Sequence, residues 1–242
     1  RNDALLTSLD NDRHRYTVAE VPIASPDIII VSGDLIQGAG VGSADFERTL
    51  AEQHDEALGF LVALTDRFLG GRRDRVVIVP GNHDVSACHG MASFSRVDIA
   101  PDRKTGLVSQ LFRPDSPMRW SWDEFALYEI ADATAYAERM RPFAAFYSTF
   151  YQGTRVFDLD PSRQFDIFDF PEFDITIVGL SSCHNNDILN KQGAIHPGCI
   201  GTVGRLLREP QYGGRLRLAV WHHNTEGPPM QTDYMNPGVI QN

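Results

Sequence analysis

The chain has 242 residues, 42% hydrophobic and 22% charged, a composition typical of a globular domain with a substantial core. Its formal net charge of −10 argues against a surface that coats nucleic acid, because such a surface needs clustered Lys and Arg. The apolar runs are too short to cross a bilayer, so no membrane segment is predicted. Cys88, Cys183 and Cys199 are widely spaced, which argues against a disulfide framework and favours the reducing cytoplasm.

The first half of the chain predicts a strand–helix–strand unit. A helical start over residues 3–9 precedes two runs rich in β-branched residues, 27–31 and 75–79. Both runs are apolar on each face, as central parallel strands require. Between them a helical period begins after Ser43, the expected N-cap, and ends at Gly70. This order predicts a right-handed crossover in a parallel sheet.

Segment 85–151 departs from this pattern and is predicted to be a helical insertion over one edge of the sheet. Its long helix is predicted over residues 122–150. The insertion is either a lid that shapes the substrate site or a structural helical subdomain. Trp120 and Trp122 are interpreted as packing residues of the insertion.

The remaining chain returns to short strands. Residues 164–170 and 173–181 predict a hairpin, residues 198–207 a helix, and residues 215–221 a last strand. The predicted fold class is therefore α/β, with layered mixed β-sheets flanked by helices. A single domain is expected to span residues 1–242.

Polar side chains that suit a metal ion follow three of the predicted strands. Asp34 follows the first strand, Asn82 and His83 follow the second, and His222 follows the last. Each group taken alone is explained by turn chemistry or by an ordinary polar contact. Because ligands gather at the carboxyl ends of strands in α/β sheets, the three groups together predict one convergent site.

The segments Ser-Gly-Asp (32–34), Pro-Gly-Asn-His-Asp (80–84) and Trp-His-His-Asn (221–224) resemble the calcineurin-like metallophosphoesterases. The pattern of that family runs D-x-H, G-D, G-N-H-[DE], a lone H after a strand, and G-H-x-H. The resemblance covers residues 26–224, interrupted by the insertion. It implies that Asp34 bridges two metals, that Asn82 and His222 ligate the second metal, and that His83 protonates the leaving group. It also implies that Asp84 is a local structural partner.

The resemblance implies a phosphoesterase that hydrolyses a phosphodiester or a phosphomonoester with a two-metal-activated hydroxide. Mixed oxygen and nitrogen ligands suit Mn, Fe or Zn as the two divalent ions. A small phosphate ester is preferred as substrate over nucleic acid because the basic cluster at residues 72–75 is small. The alternatives are a nuclease of the same fold and a metal-poor binding or regulatory relative without catalysis. The oligomeric state is left open.

Two motifs of the family pattern are missing. Asp12-Arg13-His14 reads D-x-H but follows no strand, so it is interpreted as a chance match, and no G-H-x-H follows His222. The chain is therefore expected to be truncated at both ends and to leave the first metal with Asp34 alone. On this interpretation the fragment is weakly active or inactive, and the whole protein is an enzyme.

Two other patterns suggest different site types. The Gly-rich loop at residues 38–42 lacks the spacing of a dinucleotide fingerprint and the P-loop Lys, so it predicts only a loop near the site. Cys88-His89 and Cys183-His184 form two pairs that are too far apart in sequence for an ordinary zinc module.

Overall fold

The computed structural model describes residues 2–18, 24–98, 104–111, 113, 115–227 and 233–236. The helices in these ranges are α1 (Asn2–Thr17), α2 (Phe46–Leu69), α3 (Ala87–Ala92), α4 (Lys104–Leu111), α5 (Ala133–Ala137), α6 (Arg141–Phe150) and α7 (Pro197–Leu206). The strands are β1 (Ile29–Val31), β2 (Val76–Ile78), β3 (Phe94–Val97), β4 (Met118–Ser121), β5 (Ala126–Ile130), β6 (Phe165–Phe170), β7 (Ile175–Leu180) and β8 (Leu216–Val220). Within the same ranges, no helix has the length and apolar character needed to cross a membrane.

The strands of the described chain form three sheets. β1 pairs with β2 in parallel, as the strand–helix–strand pattern predicts. β7 pairs with β6 in antiparallel and with β8 in parallel, which confirms the predicted hairpin and adds a mixed sheet. These two sheets contact each other through β2 and β7. A Cβ on Gly179 would lie 3.0 Å from Val79 Cγ1, so the absence of a side chain there permits the close approach.

The main core lies between these sheets and the helices α2 and α6. Leu61 of α2, Val77 of β2 and Phe143 of α6 are almost completely buried in it. The other face of β7 packs on α7, where Val178 and Cys199 are buried together. A strand covered on both faces is mostly apolar, and the one polar side chain of β7, Thr176, donates its hydroxyl to Asp169. The layered α/β architecture confirms the predicted fold class.

Helix α2 confirms its predicted end and corrects its predicted start. Gly70 adopts a left-handed conformation (φ 61°) and donates its N–H to the carbonyl of Thr65, which ends the helix. The predicted N-cap at Ser43 is wrong, because the helix begins at Phe46 and follows Asp45, whose side chain makes no capping bond. Helix α1 is longer than predicted and runs to Thr17.

Segment 85–151 is less helical than predicted. β3, β5 and β4 form an antiparallel sheet in that order, and a turn at residues 122–125 joins β4 to β5. The helix predicted over residues 122–150 is therefore wrong in its first part, and within those residues helical structure is confined to α5, α6 and a short 3₁₀ turn between them.

Candidate metal centre

The carboxyl ends of β1, β2 and β8 bring Asp34, Asn82 and His222 together. The Nε2 atom of His222 lies 2.9 Å from Oδ1 of Asn82 and 3.5 Å from Oδ1 of Asp34. The convergence that the sequence predicts is thus present. The role of these three residues as metal ligands stays a prediction.

Two glycines allow the loops to approach one another. A Cβ on Gly33 would lie 2.5 Å from the backbone nitrogen of Gly81 and 2.8 Å from Nδ1 of His222. A Cβ on Gly81 would lie 2.2 Å from Oδ1 of Asp34. Asp34 itself has φ 55°, in the left-handed region that side chains rarely occupy. Backbone strain of this kind concentrates at functional sites because the surrounding structure must hold it in place.

His222 presents one nitrogen to the centre and anchors the other. Its Nδ1 lies 2.8 Å from the carbonyl oxygen of Ser32. A carbonyl can only accept, so Nδ1 carries the proton and Nε2 of the neutral ring is an acceptor. This acceptor faces the amide oxygen of Asn82 and the carboxylate of Asp34. Oδ1 of Asp34 accepts the backbone N–H of His83, whereas Nε2 of His222 and Oδ1 of Asn82 face each other as two acceptors. A cation, or a proton on Nε2, would satisfy that arrangement.

The separations within this group suit one cation. Ligand atoms held about 2.1 Å from a shared ion are about 3.0 Å apart in octahedral and about 3.4 Å apart in tetrahedral geometry. The separations of 2.9 and 3.5 Å from His222 to Asn82 and Asp34 are close to these values. The described residues contain no group of three or more His, Cys, Asp or Glu that could hold a metal ion. The donor set found here includes the amide of Asn82 instead.

His83 sits at the edge of the centre and is oriented by backbone. Its Nδ1 lies 2.9 Å from the carbonyl oxygen of Gln37, which fixes the proton on Nδ1 and leaves Nε2 for other contacts. Its backbone N–H donates to Oδ1 of Asp34 at 3.1 Å. The structure therefore places His83 beside the predicted ligands and outside their convergent set.

The loop that orients His83 is held by Gln53, a residue that the sequence analysis missed. The amide oxygen Oε1 of Gln53 accepts the backbone N–H groups of Gln37 at 2.9 Å and Gly38 at 3.0 Å. Its Nε2 donates to the carbonyl of Gly38 at 3.1 Å. Gly38 also approaches the backbone of His83, so the Gly-rich loop lies near the site as predicted. No motif marks a glutamine on the polar face of a helix.

Asp84 joins the loop after β1 to the loop after β2. Its carboxylate accepts the backbone N–H of Gly81 at 2.8 Å and that of Leu35 at 3.1 Å. The residue is 1% exposed, and burial raises its pKa to about 7, although the two backbone bonds act in the opposite direction. Asp84 is thus a local structural partner, as predicted.

His223 is the buried neighbour of His222. Its Nδ1 lies 2.8 Å from Oγ of Ser182, and its Nε2 lies 3.3 Å from Oδ1 of Asp233. Burial lowers the pKa of His223 to about 4, so the ring is neutral at neutral pH. The two ring centroids are 5.0 Å apart, and His223 therefore forms part of the wall behind His222.

Two alternative sites considered from the sequence are not assembled. Cys183 is fully buried with its sulfur 3.7 Å from the carbonyl of Pro80, and the described residues show no cluster that would join it to Cys88. Asp12-Arg13-His14 lies within α1, whose Asp10 pairs with Arg67 near the end of α2. Arg67 is 14 residues, about 21 Å of helix, beyond Gln53, so the D-x-H triplet lies far from the centre.

Comparison with known proteins identifies the family of the chain. No curated protein matches the chain. A family model described as calcineurin-like phosphoesterase matches residues 10–231, which include Asp34, Asn82, His83 and His222. The chain belongs to the calcineurin-like phosphoesterase family.

Proposed function

We propose that the chain is a metal-dependent phosphoesterase with its centre at Asp34, Asn82 and His222. The meeting of three acceptor atoms at the carboxyl ends of β1, β2 and β8 is the observation that carries this proposal. The contact of Nε2 of a neutral His222 with Oδ1 of Asn82 at 2.9 Å is unfavourable by itself, because two facing acceptors need a positive partner between them. A divalent cation meets that need and is the kind of cofactor that a phosphoesterase uses.

The donor set indicates Mn, Fe or Zn, since carboxylate, amide and imidazole together suit these ions. Asp34 has two carboxylate oxygens, and it is the residue that a second cation would share. When bound, the ions supply charge neutralisation for phosphoryl oxygens and lower the pKa of a coordinated water to near neutrality. The remaining work falls to the residues of the chain.

His83 is the proposed general acid. Its Nδ1–H is committed to the carbonyl of Gln37, which leaves Nε2 as the nitrogen available to the substrate. The protonated ring then carries a second proton on Nε2, which it can give to the departing alkoxide of the ester. The proton neutralises the leaving group, and bulk water reprotonates His83 for the next turnover.

The preferred substrate is a small phosphate ester. A chain with a net charge of −10 repels an extended polyanion unless a local basic track offsets the repulsion. A small phosphodiester or monoester presents its charge only at the centre. Hydrolysis of a nucleic acid polymer is therefore the less favoured alternative.

Hydrolysis of bis(p-nitrophenyl) phosphate and p-nitrophenyl phosphate, with and without Mn²⁺, tests the proposal. Asn82→Ala and His222→Ala each remove a ligand, so both metal affinity and turnover should fall by at least about tenfold. His83→Ala should keep its metal affinity and lose about 10²- to 10⁴-fold in kcat, the usual range for a general acid.

His14→Ala is the matched control, because His14 lies in α1 away from the centre and its loss should change neither quantity. Absence of Mn²⁺-dependent hydrolysis by the unmodified chain would contradict the proposal. Equal loss of metal affinity in His83→Ala and His222→Ala would contradict the separate roles.

A further inference from the structure

A cleft of about 540 Å³ opens between the β4–β5 hairpin and the loop at residues 188–194. Its volume is in the range of sites that enclose a small organic ligand. One wall carries the indole rings of Trp120 and Trp122, and the other carries Asn190 and Lys191. An aromatic wall that faces a polar and cationic wall can contact both the face and the edge of a planar heterocycle.

The aromatic wall is not packed into a core. The rings of Trp120 and Trp122 meet edge to face, with centroids 5.9 Å apart. Trp122 is 75% exposed, so the interpretation of this residue as a packing residue is wrong. Nε1 of Trp120 is buried and has no hydrogen-bond partner within the described part of the chain. Proteins rarely leave a buried donor unpaired, and large exposed aromatic groups beside a cleft are typical of binding surfaces.

The cleft adjoins the candidate metal centre through Gly193. A Cβ on Gly193 would lie 2.4 Å from Cγ of His223, so the cleft wall rests directly on that ring. His223 in turn packs edge to face on His222, with ring centroids 5.0 Å apart. The cleft is thus linked to the centre by direct packing through Gly193, His223 and His222.

We propose that this cleft binds a planar aromatic group of nucleobase size on the phosphate ester, stacked on Trp122. The inference rests on the proposed function, since it assigns the cleft to the same substrate. Stacking of a base on an aromatic side chain does not depend on base identity, because every base has a π-face. Lys191 adds a positive charge to the cleft wall, and the acidic remainder of the chain favours a mononucleotide over a polymer.

Quenching of intrinsic tryptophan fluorescence by adenosine 5′-monophosphate tests the cleft without any need for turnover. Ribose 5-phosphate, which carries the same phosphate and no base, is the matched ligand control. We expect saturable quenching by the nucleotide and none by the sugar phosphate. Trp122→Ala should weaken nucleotide binding about tenfold, within the range measured for loss of a stacking residue, and Trp122→Phe should restore most of it.

Phe125→Ala is the matched protein control. Phe125 belongs to the same turn, is also 75% exposed, and does not line the cleft, so its loss should leave binding unchanged. Equal weakening in Trp122→Ala and Phe125→Ala, or equal quenching by the two ligands, would overturn the inference. If the chain shows Mn²⁺-dependent hydrolysis but its nucleotide binding is insensitive to Trp122, only the cleft assignment is contradicted. If binding depends on Trp122 but the chain hydrolyses no ester, the proposed function is contradicted and the aromatic binding site is retained.

Discussion

Two polar clusters of this molecule differ in how their hydrogen bonds balance. The Arg119 cluster (Arg119, Tyr136 and Asp187) is buried, and each of its donors meets an acceptor. Arg119 Nε donates to Oδ2 of Asp187 at 2.7 Å, and the hydroxyl of Tyr136 donates to the same oxygen at 2.7 Å. In the candidate metal centre, the facing atoms of Asp34, Asn82 and His222 are all acceptors when His222 is neutral. A cluster in which donors and acceptors are paired stabilises the fold, whereas a cluster of facing acceptors needs a cation or a proton.

The balanced cluster also has a clear mechanical role. Arg119 belongs to β4 of the hairpin, and Asp187 belongs to the loop after β7, 68 residues later. A further bond runs from Arg119 Nη2 to the carbonyl of Asn185 at 3.2 Å. These contacts join the two walls of the tryptophan-lined cleft. They therefore fix the width of the cleft while taking no part in the chemistry.

The largest expected effect comes from breaking this balance with Asp187→Ala. The Arg119 side chain is 4% exposed, so the substitution leaves a buried charge without its partner. Loss of one partner of a buried pair costs about 3–5 kcal/mol in the free energy of unfolding. Urea denaturation of the unmodified chain and the variant measures this difference.

Asp74→Ala provides the contrast for that measurement. Asp74 pairs with Arg72 at 2.7 Å on the exposed surface, where solvent screens the interaction. We expect no resolvable change in stability from its loss. Similar losses for Asp187→Ala and Asp74→Ala would show that burial does not separate the two pairs.

A smaller effect, on rate and not on stability, is expected from Gln53→Leu. This change removes the acceptor for the backbone N–H groups of Gln37 and Gly38, and the carbonyl of Gln37 orients His83. A displacement of about 1 Å can cost about 10²-fold in rate, so we expect about a tenfold lower kcat from partial loosening of this loop. KM should hardly change, because Gln53 does not contact the proposed ligands. Steady-state kinetics with Mn²⁺ separates the two quantities.

Gln53→Glu sharpens this test. Glutamate keeps an oxygen for the two N–H groups and loses the donor to the carbonyl of Gly38. Its kcat should therefore fall between those of the unmodified chain and Gln53→Leu. A rise in KM with unchanged kcat would show that Gln53 acts on substrate binding and not through His83.

The buried strands were predictable because their composition leaves few alternatives. Val77 and Val178 belong to continuous apolar runs that only a strand covered on both faces accommodates. The hairpin at residues 118–130 was not predictable from its period, which a helix shares. It is decided by pairing with β3, where Phe94 lies opposite Ile130, a contact far away in sequence. Periodicity reports local conformation and cannot report such a partner.

The candidate site divides in the same way. Asp34, Asn82 and His222 could be selected because each directly follows a buried strand, and strand ends converge. The support from Gln53 could not, since it acts through backbone groups of Gln37 that carry no sequence signature. The facing acceptors at His222 could not be predicted from the sequence either, because they depend on which ring nitrogen donates to the carbonyl of Ser32.

The most direct test of the central claim is to locate Mn²⁺ by anomalous diffraction in crystals grown with the ion. We expect a peak about 2.0–2.2 Å from a carboxylate oxygen of Asp34, Oδ1 of Asn82 and Nε2 of His222. The same peak should be absent from crystals of His222→Ala. Mn²⁺ bound at another place, together with a hydrogen bond from a protonated Nε2 of His222 to Asn82, would contradict this assignment of the ligands.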